Sequence, residues 1–159
     1  MLAGPTLLTL REQRLSGRSL PTWVRRSAFW LLAVTVVIAG VIVLSPGPPA
    51  IAGQTALRHW SAVWRIGGIA PAFLTFDAVE WLANVVMFFP IGFLFAAAVP
   101  PRQRHLVVPI AAAGSICVET AQLFIPERVS SVADVAANSL GALLGVLLLV
   151  ACTERFART

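Results

Sequence analysis

The residues able to do chemistry fall on three apolar segments in short, regularly spaced sets: Asp77, Glu80 and Asn84; Ser115, Glu119 and Gln122; Asp134 and Asn138. The spacings are i, i+3, i+7, then i, i+4, i+7, then i, i+4, so each set projects from one face of a helix. Ionisable side chains are costly inside a bilayer, where they face a bundle interior or a water-filled cavity. Two carboxylates sharing a pocket could act as acid and base if their surroundings hold them in different protonation states. Glu80, Glu119 and Asp134 are the candidates for that work, with Asn84, Gln122 and Asn138 as binding groups. No Ser-His-Asp set, phosphate-cradling glycine loop or metal-spaced cluster accompanies them, so no definite reaction, metal or cofactor is expected.

Whether the three sets can meet depends on depth. At a rise of 1.5 Å per residue, Asn84, Glu119, Gln122 and Asn138 lie about 5–9 Å below the same end of their helices. A four-helix bundle could gather them into one pocket open to one face. Three readings compete. The first is an outward-facing site, binding or catalytic, for a polar headgroup or a lipid-linked envelope molecule. The second is a non-catalytic scaffold whose amides and carboxylates only hold helices together or dock another membrane protein, at about 0.6 kcal/mol per interhelical bond. The third is a small proton-coupled transporter using Glu80 and Glu119 as relays, and against it the other half of every span is apolar. Asp77 and Glu127 are expected at helix ends in water. Glu119 is expected to be protonated or paired, with Arg128 on the following loop as the nearest cation.

The elements that must position these residues are membrane spans. The chain has 159 residues, a mean hydropathy of +0.84, and 58% hydrophobic against 12% charged residues. A soluble domain carries about 25% charged residues, so this chain cannot coat a water-facing globule. A helix needs roughly 20 apolar residues to cross a bilayer, and residues 27–44, 79–99, 106–125 and 133–152 meet that length. The expected architecture is an all-α integral membrane four-helix bundle spanning 27–152, with tails at 1–26 and 153–159.

All twelve basic residues are arginines. Nine of them lie before the first span, between the second and third, or after the fourth, and three (Arg58, Arg65, Arg128) lie in the opposite loops. That asymmetry places both termini in the cytoplasm. It also accounts for the net charge of +5 without nucleic acid as a partner; membrane lipids are the expected surroundings. Ala50-Ile51-Ala52 has the small residues of a signal-peptide cleavage site, but the uncharged run before it exceeds the usual 7–15-residue apolar core of about that length. A retained first span is expected.

Other features have structural meanings. Trp23, Phe29 and Trp30 mark the cytoplasmic interface. Leu57, Trp60, Trp64 and Gly67 share one face of a possible short interfacial helix in the outer loop. Pro90 frees the carbonyl of Val86 and predicts a kink in the second span. Gly141 and Gly145 continue the face of Asp134 and Asn138 as a small-residue packing stripe. Cys117 and Cys152 lie at different depths and should not pair; His59 and His105 are isolated in loops.

The chain resembles the VanZ-like family of small bacterial membrane proteins in an ordered set of motifs. These are Asn84-Val85-Val86-Met87-Phe88-Phe89-Pro90-Ile91-Gly92-Phe93, then Glu119-Thr120-Ala121-Gln122, then Arg128 and Asp134, then Asn138-Ser139-Leu140-Gly141-Ala142-Leu143-Leu144-Gly145. The resemblance implies a multi-pass protein of the bacterial cytoplasmic membrane, similar to one associated with reduced susceptibility to the glycopeptide teicoplanin. It implies no settled biochemical activity. Family members often carry further acids between the counterparts of Arg128 and Asp134, where this chain has Ser131 and Ala133, so Asp134 is left as the loop's only acid.

Overall fold

The computed structural model describes residues 19–44, 55–56, 59–60, 62–64, 66–68, 75–125 and 131–155. Among the described residues there is no strand, and the elements are the α-helices α1 (Thr22–Leu44), α2 (Phe76–Ala98), α3 (Val107–Gln122) and α4 (Val132–Arg155). Three of them, α1, α2 and α4, are long and apolar enough to cross a membrane. At 16 residues, α3 is only about 24 Å long. It is shorter than the 20-residue span expected because Pro101–Leu106 winds as a 3₁₀ turn, while Leu123 and Phe124 turn away at the other end.

Local signals set the helix ends. Pro21 offers its carbonyl to Arg25 N–H at 3.1 Å, so α1 starts earlier than residue 27. Thr75 caps α2, its hydroxyl accepting from Ala78 N–H at 3.2 Å, with Asp77 in the first turn where the helix dipole favours a carboxylate. The helix runs unbroken through Pro90. Its far end is held by two guanidinium groups: Arg104 Nε donates to Ala96 O at 3.3 Å and Arg25 Nε to Ala98 O at 3.2 Å. Cations at the last carbonyls complement the dipole. Burial lowers the pKa of Arg104, yet a guanidinium starts so high that it stays charged. Replacing Arg104 with methionine keeps an unbranched apolar stem but orphans that carbonyl. It should cost about 1–3 kcal/mol, the range for leaving a buried acceptor unsatisfied, read as a lower thermal midpoint; Arg25→Met, at a half-buried position, should cost less.

The helices run up and down in sequence, so α1 and α3 rise toward the end that carries Asp77, Gln122 and Asp134, here the acidic end, and α2 and α4 run back to the arginine end. The closest pair is α2 with α4, and three glycines explain it. A Cβ on Gly141 would collide with Val85 O, one on Gly145 with Phe89 O and Phe93 N, and one on Gly92 with the backbone of Ala142. The two backbones therefore touch directly along the stripe. α1 packs on α2, α3 packs on α4, and α1 and α3 make little contact with each other.

At the arginine end the bundle is solid. Ala28 of α1, Ala96 and Ala97 of α2, Val107 of α3, and Val146 and Leu149 of α4 form one buried cluster. The outward faces are apolar: Val34, Val37 and Val41 of α1 and Leu143, Leu147 and Leu148 of α4 are all exposed. Contiguous apolar surface of that kind needs an apolar solvent. Cys117 is exposed on α3 and Cys152 half-buried on α4, both free. In the loop before α2, the described residues 59–60, 62–64 and 66 are helical. The rings of Trp60 and Trp64 stack at 4.6 Å, and Gly68, at φ 64°, ends the turn where a side chain would be strained.

Candidate functional site

The acidic-end residues sit where four elements of local structure put them. Ser131 begins α4: its hydroxyl accepts from Ala133 N–H at 3.1 Å, and its carbonyl accepts from Asp134 N–H at 3.1 Å. The cap leaves Ser131 N–H pointing away from the helix, and it donates to Glu119 Oε2 at 2.8 Å. Glu119, only 8% exposed, thus lies at the positive end of the α4 dipole, where a carboxylate is favoured. Its described partner is this backbone donor on the neighbouring helix. Arg128, expected as its cation, lies outside the described residues, as does Glu127.

One turn into α4, the Asp134 carboxylate lies beside the Asn84 side chain of α2 and within electrostatic reach of Glu119. Another turn along, Asn138 donates through Nδ2 to Ser115 Oγ on α3 at 2.8 Å. Ser115 is 1% exposed and Asn138 6%. The other amide atom of Asn138, Oδ1, is buried and has no hydrogen-bond partner. Swapping the amide's O and N would only move the vacancy, because the serine hydroxyl can donate or accept but meets just one of the two atoms. A buried, unsatisfied amide end costs about 1–3 kcal/mol.

These residues surround a single cavity of about 370 Å³, lined at its polar end by Glu80, Asn84, Glu119, Gln122, Asp134 and Asn138. All six candidate groups from α2, α3 and α4 therefore meet in one place. Asp77 does not; it is exposed at the start of α2. Gly141, Gly145 and Pro90 do not line the cavity either: the glycines bring α2 and α4 together below Asn138, which sets the width of the space above. Among the described residues, no group of three potential metal ligands is close enough to hold a metal ion.

The rest of the lining is apolar. Leu32, Val36 and Ala39 of α1, Met87, Ile91 and Phe95 of α2, and Ile110 and Val118 of α3 continue the space toward the arginine end. Ser131 and Gly92 escaped the sequence reading, Ser131 although it has a signal. Ser131-Val132-Ala133-Asp134 has the spacing of a capping box, with Asp in place of Glu.

Among comparisons with known proteins, the family model described as VanZ/LLP1 matches residues 29–153. No curated protein and no solved structure matches the chain.

Proposed function

The chain belongs to the VanZ/LLP1 family, and on that premise we propose that it is a multi-pass protein of the bacterial cytoplasmic membrane that binds cell-envelope material at its acidic end. In this reading α3 is a fourth, short span, both termini are cytoplasmic, and the polar end of the cavity faces outward. The material bound is a lipid, or a lipid-linked or glycopeptide-related molecule, which would connect this chain to reduced teicoplanin susceptibility.

The observation that carries the reading is the Asn138 amide: 6% exposed, bordering the cavity, and with Oδ1 left without a partner. A scaffold would gain by satisfying or deleting that atom, whereas a site needs it for something that arrives. Glu80, Glu119 and Asp134 are candidates for acid–base work on the bound molecule. The cavity favours binding over proton transport, since its lining toward the arginine end has no titratable group among the described residues and that end is closed by packed apolar side chains.

The test is a substitution pair. Glu119→Gln keeps an acceptor for Ser131 N–H, and Asp134→Asn keeps a polar partner for Asn84. Both should leave the amount and melting of purified protein unchanged while abolishing the glycopeptide phenotype of cells that depend on the protein. If both variants instead lose folded protein in proportion to the phenotype, the site reading fails and the scaffold reading replaces it.

A further inference from the structure

Three features of the cavity go together: its shape, its charge and the way it is walled. Below its outermost lining residues, Glu80 and Gln122, it runs along the bundle from Asn84 to Phe95 on α2 and from Glu119 to Ile110 on α3, a length of roughly 14–16 Å at the helical rise. An extended chain advances about 1.2 Å per bond by the dimensions of a polypeptide, so about a dozen bonds fit. The volume, about 370 Å³, lies at the small end of ligand pockets, about 300–1,000 Å³, which favours one chain over two.

The polar end carries three carboxylates and three amides, and no cation stands among the described lining residues. Asn138, a lining residue, adds an acceptor in its unpartnered Oδ1, which is buried behind the cavity wall and becomes available when the side chain shifts. Such a surface receives donors, amino or hydroxyl groups, and disfavours a phosphate by like-charge repulsion.

The walls are least continuous between α1 and α3, which make little contact with each other although both line the cavity. α1 is fixed at the arginine end by Ala28 and by the Arg25 bond to Ala98. Along the cavity it presents Gly40, and α3 presents Gly114; a Cβ on either would meet nothing within 4 Å. Two lining glycines with open space beside them, one on each of these helices, make the seam the thinnest part of the wall.

We propose that the cavity holds a single-chain amphiphile of about ten carbons whose donor-bearing, non-anionic head lies among Glu119, Asp134 and Asn138, and whose chain enters sideways through the α1–α3 seam. This rests on the binding function above and names its ligand class and its route. Hydrogen-bonded acceptors orient the head, and the apolar limb measures the chain.

The test uses full-length protein in phosphatidylcholine vesicles with a decylamine probe carrying a diazirine on its terminal carbon. Cross-links should fall on Ile91, Phe95 and Ala111, which line the cavity and are shielded from lipid, and unlabelled decylamine or decanol should compete at least tenfold better than decyl phosphate. Gly114→Trp and Gly40→Leu, at positions where a Cβ meets nothing within 4 Å, should cut labelling at least fivefold with unchanged helicity and melting. Cross-links confined to lipid-facing residues such as Leu147 and Ile116, together with full labelling in both glycine variants, overturn the chain and seam while leaving a polar site intact. Equal competition by decyl phosphate overturns the head chemistry. Labelling at the cavity that is indifferent to Glu119→Gln, Asp134→Asn and Asn138→Leu overturns the binding function itself.

Discussion

Gly145→Leu abolishes the folded protein. The glycine's missing Cβ is where Phe89 O and Phe93 N of α2 already stand, and both are backbone atoms that no rotamer change can move aside. Overpacking a core costs about 1–3 kcal/mol where neighbouring side chains can give way. Here the two most closely packed helices must separate instead, and the loss should exceed that range, a large share of a typical stability of about 5–15 kcal/mol. Gly141→Leu, against Val85 O, and Gly92→Leu, against Ala142, should act alike. The measurement is the yield of monodisperse protein in mild detergent and its melting point. Gly114→Ala is the internal comparison: nothing lies within 4 Å of its Cβ, and alanine is favoured over glycine in a helix by about 1 kcal/mol. It should melt at the same temperature or higher. A Gly145→Leu protein that purifies and melts like the parent would mean that α2 and α4 do not pack backbone to backbone.

The contrast between these glycines marks what sequence can and cannot convey. Small-residue spacing along α4 was visible in Gly141 and Gly145, but nothing in the sequence distinguishes a glycine pressed on a backbone from one beside empty space. Gly92 and Gly114 look alike in the chain and are opposites in the fold. The convergence of Glu80, Asn84, Glu119, Gln122, Asp134 and Asn138 was legible because it depends only on helical period and depth. Their partners were not. Glu119 was matched to an arginine because a buried carboxylate needs compensation, yet a helix N-terminus supplies that too, and it is visible only once α4 is placed against α3. The length of α3 was overestimated for a similar reason: hydropathy continues through Leu106, while Pro100 and Pro101 make the preceding backbone a 3₁₀ turn. The apolar limb of the cavity could not be read at all, since Leu32, Val36 and Ile110 have the same composition as residues that face lipid.

Asn138→Leu combined with Ser115→Ala separates a binding site from a scaffold more sharply than any charge change. Together the two substitutions remove the 2.8 Å bond between α3 and α4 and the orphaned Oδ1. Replacing both members of a buried hydrogen bond by apolar groups is close to neutral, and deleting an unsatisfied atom returns about 1–3 kcal/mol. Leucine is close to asparagine in size, with open cavity beside it, so the fold should be as stable as the parent or more so. Binding of the amphiphile probe should meanwhile fall more than tenfold, because the acceptor that waits for its head is gone. Ser115→Ala alone should do the reverse: it leaves the Asn138 amide wholly unpaired at 6% exposure, lowering stability by about 1–3 kcal/mol while the head's acceptor remains. A scaffold gives the opposite pattern, with the double variant melting lower than Ser115→Ala and the phenotype following the melting point. The two outcomes differ in sign, because an unpaired polar atom in a dry interior persists only where removing it would lose something other than stability.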